Sequence, residues 1–251
     1  MLDSIGTSCT LGVLAAVSTV IGILISLLAQ PPRKFERRST EVAGWGTFKE
    51  AIFTLLFIAN FIHPLTVANP ATFGPVFSET VGINGRDGAM LLAIVSLVGI
   101  PSRLSIGWAA DVIGHTNIVI IVTGIYCIGV WCLWLPAATN NSRVLWTVFN
   151  VMYGVVNGTF NIVVNSLQKK LFGDELYYSY NGAITSIRGV GYVIGVPIAG
   201  ALVKQGRDDD LSGTDFTMPI IYNGALLTIA LVCLLGIRIV DARKIEWAWA
   251  R

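Results

Sequence analysis

The chain has 251 residues, of which 54% are apolar and only 13% charged, with a formal net charge of +2; its mean hydropathy is +0.69. Soluble domains carry about 25% charged residues, so the composition excludes a soluble globular or disordered protein, and the near-neutral charge points neither to nucleic acid nor to an acidic partner. A membrane-crossing helix takes about 20 apolar residues, so the length excludes a complete twelve-span carrier and admits about six to eight spans.

Seven helices of bilayer length are predicted, at 8–29, 51–73, 88–110, 117–136, 144–167, 180–203 and 218–240. The expected fold is therefore an all-α membrane protein, because lipid leaves unpaired backbone groups unsatisfied. Within these limits the Lys and Arg residues are Arg103, Arg188 and Arg238, and no Asp or Glu occurs. Breakers mark the ends: Pro31-Pro32 after the first helix, and Gly82, Gly85 and Gly88 before the third. The first helix is read as a retained span and not a secretion signal. Its leading residues 1–7 hold no Lys or Arg, and its apolar run of about 22 residues exceeds a signal core.

Orientation follows from the basic residues. One side of the membrane collects Arg33, Lys34, Arg37, Arg38, Lys49, Lys169, Lys170, Arg238, Arg243, Lys244 and Arg251, eleven in all; the other collects Arg86, Arg143, Lys204 and Arg207. The first side is expected to be cytoplasmic, with the N-terminus outside, the C-terminus inside and Asp208–Asp210 in an outer loop. Trp131, Trp134 and Trp146 are expected at the outer interface, and Trp45, Trp108, Trp247 and Trp249 at the inner one. Cys9, Cys127, Cys132 and Cys233 lie in or beside apolar segments without paired CxxC spacing or a histidine cluster. Neither a disulfide framework nor a metal site is expected, and no cofactor. Asn140-Asn141-Ser142 is an acceptor sequon in a very short predicted outer loop.

The second predicted helix carries Asn60 and His63 on one face, followed by Pro64, Asn69, Pro70, Gly74 and Pro75. Its outer half is expected to bend or break, since each internal proline removes a backbone bond. His63 reads either as a proton relay or as a structural hydrogen-bonder. Asn60 is open to the same division, between a pathway residue and a structural one.

A charge at membrane depth is costly and marks a functional candidate. Arg103 in the third helix and Arg188 in the sixth stand about 10 Å and about 12 Å from the same membrane side. Two guanidiniums at similar depth suggest an anion site, because the planar fork of arginine holds a carboxylate bidentately. The competing reading has both arginines snorkel to the headgroups or bond to helix-end carbonyls. In the fifth helix Asn150, Tyr153, Asn157, Asn161 and Asn165 recur at helical spacing, with Gly154 and Gly158 beside them. This face either lines a hydrated pathway, with Asn157 and Asn161 nearest mid-membrane, or holds the bundle together by interhelical bonds. Between the third and fourth helices, Gly107, Asp111 and Gly114 mark a short turn. There Asp111 can cap a helix N-terminus or pair with a basic residue.

These motifs resemble the C-terminal half of a major facilitator superfamily carrier, in particular the monocarboxylate-porter-like proteins of fungi. Gly107…Asp111…Gly114 resembles the cytoplasmic gating motif repeated between the eighth and ninth family helices, departing from it at Val112 and Thr116, where basic residues are usual. Ile100-Pro-Ser-Arg103-Leu-Ser-Ile-Gly107 resembles the eighth helix, whose arginine binds the substrate carboxylate; the aspartate common one turn earlier is here Gly99. Gly154-Val-Val-Asn-Gly158-Thr-Phe, Leu171-Phe-Gly173 and Gly195-Val-Pro-Ile-Ala-Gly200-Ala resemble the tenth helix, its following loop and the eleventh helix.

The resemblance implies that 8–29 is the sixth family helix, 30–50 a cytoplasmic linker, 51–240 the six-helix C-terminal bundle and 241–251 a cytoplasmic tail. It implies rocker-switch transport of a small organic anion, such as a monocarboxylate, across the plasma membrane. The chain is then expected to be an N-terminally truncated half, completed by its missing half or by a second chain. The rivals are a non-transporting membrane subunit, an incomplete gene product and a seven-span receptor. An enzyme is least favoured, since no intramembrane Ser/His arrangement, Asp pair or metal-ligand cluster is evident.

Overall fold

The computed structural model describes residues 7–28, 45–203 and 211–244, the side chains of a few of them excepted. Those residues form helices and turns, with no strand among them. The chain comprises two units, Met1–Ser39 and Thr40–Arg251. The first contributes the helix Thr7–Leu28, on which Val17, Ile21 and Leu24 are exposed, as suits a helix whose solvent is hydrocarbon. Residues 29–44, 204–210 and 245–251 lie outside the described residues. With them lie Pro31-Pro32, the Asp208–Asp210 run, Trp247, Trp249 and many of the basic residues on which the expected orientation rests.

Among the described residues, seven helices are long and apolar enough to cross a membrane: Leu11–Leu28, Ala51–Thr80, Gly85–Ile113, His115–Thr139, Arg143–Gly173, Leu176–Ala201 and Gly213–Ala242. The number matches the sequence, but the six spans of the second unit run longer than expected. Hydropathy registers only the apolar middle, while polar ends carrying Glu79, Asp87, Lys169 and Lys170 continue the helical backbone. Gly85 and Gly88, expected before the third span, are inside it. The fifth and sixth spans have no loop between them. The chain turns at Gly173, whose φ of 69° suits glycine.

Proline accompanies irregular backbone in two spans, in the second as expected. The second is two helices, Ala51–Val67 and Asn69–Thr80, bent ahead of Pro70. In the fourth, a π-turn at Val130–Trp134 precedes Pro136, and the Leu135 amide reaches back to the Val130 carbonyl.

The core of the second unit contains an aromatic cluster. Phe149 stacks on Trp134, Trp146 and Tyr153, with centroids 5.1, 5.5 and 6.0 Å apart, and the two indoles lie 5.9 Å from each other. Trp134 and Trp146 are therefore buried core residues and not members of an outer aromatic belt; the Trp146 indole donates to Ser78 Oγ at 2.8 Å. Trp131 is more exposed, at 37%.

Glycine sets how closely the spans approach. A Cβ on Gly195 would lie 2.6 Å from Leu65 Cα, and one on Gly191 2.6 Å from the Phe61 carbonyl, so the sixth span packs backbone to backbone on the second. Gly154 does the same against Val95 in the third span. Gly195→Val is expected to destabilise the purified chain by about 1–3 kcal/mol through overpacking, whereas Gly189→Ala, with nothing within 4 Å of its Cβ position, leaves the midpoint unchanged or raised. Thermal unfolding in detergent checks both.

Candidate functional site

The bend in the second span creates the polar centre of the bundle. Pro70 has no N–H, so the Thr66 carbonyl cannot make its usual helical bond to position 70. The Tyr126 hydroxyl, from the fourth span, donates to it at 3.2 Å. Tyr153 of the fifth span donates to the neighbouring Val67 carbonyl at 2.5 Å. The Asn69 amide donates to Asn223 Oδ1 of the seventh span at 2.7 Å, and Asn223 donates onward to the Tyr126 oxygen at 3.3 Å. Three other spans thus converge on one bend and satisfy polar groups that lipid cannot.

One to two turns earlier on the second span stand Asn60 and His63, both buried as their shared face requires. Arg188 of the sixth span reaches Asn60 Oδ1 with two donors, Nε at 3.1 Å and Nη2 at 2.5 Å. Asn60 is held for this by its own amide, which donates to the Leu56 carbonyl at 2.8 Å. Arg188 is only 7% exposed, and no carboxylate among the described residues pairs with it. A buried guanidinium compensated by one neutral oxygen retains most of its demand for negative charge. The longer sixth span also places Arg188 twelve residues from its start at Leu176, about 18 Å along the helix.

His63 stacks face to face on Phe160 of the fifth span, with centroids 3.7 Å apart. Its Nδ1 is buried without a hydrogen-bond partner among the described residues. Next to Phe160, Asn161 donates to the Tyr192 hydroxyl at 3.0 Å, while its Oδ1 is likewise buried and unpartnered. Tyr192 lies one helical turn beyond Arg188. The second, fifth and sixth spans therefore gather a cation and two unsatisfied polar atoms.

The asparagine face of the fifth span is not continuous. The helix stops at Val156 and restarts at Thr159; Asn157 is extended (φ −65°, ψ 120°) and Gly158 left-handed (φ 80°). The Asn-Gly pair supplies the conformational freedom that an unbroken helical pattern hides. Asn150 is buried and donates to the Trp146 carbonyl one turn back, and Asn165 is exposed. Arg103 reaches this break from the third span. Its Nη2 donates to the Asn157 carbonyl at 3.4 Å, and its guanidinium lies where a Cβ on Gly158 would sit 2.8 Å away. Arg103 is thus an exposed side chain that meets a helix-end carbonyl, ten residues before the third span ends at Ile113.

At that same end of the bundle, Gly114 (φ 102°) turns the chain from the third span into the fourth. Asp111 caps no helix. It is helical and exposed, and its Oδ1 lies 3.6 Å from His115 Nε2. Gly107 is half-buried on the same helix.

Sequence reading missed Asn223, Tyr126 and Tyr192 as partners, because it scanned the spans for charges and asparagine periodicity. A tyrosine four residues after Arg188 was the available signal for Tyr192.

A family model described as Major Facilitator Superfamily matches residues 1–196 and 56–248. The chain is 26% identical over 158 residues to an MFS-type transporter of Gibberella moniliformis, covering 63% of this chain and 37% of the relative. It is 30% identical over 209 residues to the MFS-type transporter hasB of Aspergillus fumigatus, covering 80% and 42% respectively. To Monocarboxylate transporter 12 of Xenopus laevis it is 26% identical over 157 residues, covering 62% and 33%. Across such curated relatives the chain spans from 33% to 54% of their length.

The tyrosine bonds at the bend carry a stability prediction. Tyr126→Phe and Tyr153→Phe each remove a buried hydroxyl bond to a carbonyl at the bend and are expected to cost about 1–2 kcal/mol. Because both act on one bend, the double variant should be non-additive by at least about 0.5 kcal/mol. A double-mutant cycle of thermal or denaturant unfolding measures this.

Proposed function

Because this chain belongs to the Major Facilitator Superfamily and is similar to the C-terminal half of its transporters, we propose that it serves transmembrane transport of a small organic anion, such as a monocarboxylate, as part of a secondary carrier. The chain is an integral, multi-pass membrane protein. In this reading the span Leu11–Leu28 is the last helix of the carrier's first half, and the six spans from Ala51 to Ala242 form the second half. The substrate lies between the halves. In this reading the carrier lies in the plasma membrane, and the basic-residue bias supports an N-terminus outside and a C-terminus in the cytoplasm.

The observation that carries the proposal is Arg188, buried and bidentate on the neutral Asn60 Oδ1 with no acidic partner among the described residues. A substrate carboxylate takes the place of the Asn60 oxygen, exchanging bonds from the guanidinium to a neutral acceptor for bonds to a charged one in a bidentate ion pair. His63 and Asn161, with their unpartnered atoms, turn toward the remaining polar groups of the substrate. Arg103 is the second anion-holding candidate. Its bond to the Asn157 carbonyl also ties it to the break in the fifth span, so it couples substrate charge to the shape of that helix. Discontinuous helices of this kind line transporter pathways, which supports Asn157 as a pathway residue. Gly107, Asp111 and Gly114 govern closure at the inner end.

Asn60→Asp is the discriminating variant. It supplies Arg188 with a permanent carboxylate at the position the substrate is expected to fill, and it preserves shape. In cells expressing the carrier that contains these helices, uptake of radiolabelled lactate or benzoate is expected to fall at least about tenfold, with the protein still monodisperse and folded. Arg188→Gln should show a comparable loss. Undiminished uptake by Asn60→Asp would remove Arg188 and Asn60 from the anion site.

A further inference from the structure

Near the bend, Tyr126 and Tyr153 spend their hydroxyl protons on the protein itself, donating to the Thr66 and Val67 carbonyls. Tyr192 of the sixth span does not. Its oxygen accepts from the Asn161 amide at 3.0 Å, and its proton has no acceptor among the described residues. A phenol held by its oxygen still has one O–H to donate, and nothing in the transport reading uses it.

The surroundings of Tyr192 tie that donor to the anion site. Tyr192 follows Arg188 by four residues, on the same face of the sixth span and about 6 Å further along it. The two side chains interact electrostatically. Arg188 is 7% exposed, whereas Tyr192 is 36% exposed, and no atom lies within 4 Å of the Cβ position of Gly189, on the turn between them. Tyr192 therefore borders open space next to the guanidinium, where one bound molecule can meet both. The Asn161 amide, from the fifth span, fixes the phenol oxygen from the protein side and leaves the proton for the open side.

We propose that Tyr192, held by Asn161, is a specificity residue of the anion site and selects carboxylates that carry a second acceptor oxygen about 6 Å from the carboxylate. The proposal rests on the anion reading of Arg188 and extends it to the rest of the substrate. Arg188 takes the carboxylate, and the Tyr192 O–H donates to the distal oxygen of a ketone, hydroxyl or ester. An acid without that oxygen leaves the phenol proton against a hydrocarbon chain and unpaired, which is how a polar site rejects an apolar analogue. Acids whose two oxygen functions stand on adjacent carbons are also disfavoured, because their groups lie too close together to span one helical turn.

Competition for radiolabelled benzoate uptake, in cells expressing the carrier that contains these helices, tests this. The competitors are 5-oxohexanoate and hexanoate, which share a chain length and differ in the distal ketone. Wild type is expected to be half-inhibited by 5-oxohexanoate at about one fifth of the hexanoate concentration. In Tyr192→Phe the two half-inhibiting concentrations should come within about twofold of each other. Asn161→Ala, which leaves the hydroxyl unheld, should lose part of the preference, and it decides the matter if Tyr192→Phe folds poorly. A wild type that does not separate the two acids, or an undiminished preference in either variant, would overturn the proposal. A packing role alone for Tyr192 would weaken both competitors alike and keep their ratio, and so counts against it. Asn60→Asp in the same cells scores the anion reading separately. Loss of benzoate uptake there, with an unchanged ratio in Tyr192→Phe, overturns this inference alone; undiminished uptake there overturns both.

Discussion

The bundle depends on one carbonyl. Pro70 deprives the Thr66 C=O of its helical donor, and in a hydrocarbon solvent that oxygen has no water to turn to. The Tyr126 hydroxyl answers it, and the positions of the surrounding polar groups follow. Tyr126 is oriented by Asn223, Asn223 is engaged by Asn69, and Tyr153 closes on Val67 beside it. Four spans are pinned at one level by groups whose alternative is to remain unsatisfied, a penalty of about 1–3 kcal/mol each. From Tyr153 the aromatic contacts continue through Phe149 to the paired Trp134 and Trp146, so aromatic packing and the hydrogen-bonded bend reinforce each other.

The same bend fixes what the other half of the second span can do. With Leu65 and Phe61 pressed on Gly195 and Gly191, the second and sixth spans approach closely enough for Arg188 to lie against Asn60. Larger residues at those glycines would move the guanidinium away from its acceptor. The candidate site is thus positioned by close packing on one side and by proline chemistry on the other. The polar atoms left unpartnered, at His63 and Asn161, sit between two rigid supports.

Much of this was legible in the sequence, and the part that was not has a physical cause. Seven spans follow from apolar run length alone, and the bend of the second span from Pro64, Pro70 and Pro75. Arg103 and Arg188 stood out because a charge in an apolar run is rare. Periodicity gave the asparagine face of the fifth span but not its interruption. A 3.6-residue repeat continues across Asn157-Gly158 whether or not the backbone does, and the glycine that permits the break also reads as a packing glycine. Asn60 was visible but its partner was not. The contact with Arg188 joins residues 128 positions apart, and local pattern carries no information about such a pair. The tryptophans were misplaced for a related reason. A hydropathy plot locates the end of a span, but not which face of it turns inward, and Trp134 and Trp146 turn inward.

The two arginines present the same fork and solve different problems. Arg103 grips a main-chain carbonyl that exists because a helix is interrupted, so its bond persists as long as the interruption does. Arg188 grips a neutral side-chain oxygen whose amide is anchored on the Leu56 carbonyl. Asn157 is half-buried beside an exposed Arg103, so water can take up its carbonyl when that contact opens, whereas Asn60 is fully buried and its oxygen is exchanged only for a group that brings the guanidinium a charge. In the reading proposed above, that demand for charge, and not a similar depth in the membrane, ranks Arg188 ahead of Arg103 as the group that holds a substrate carboxylate.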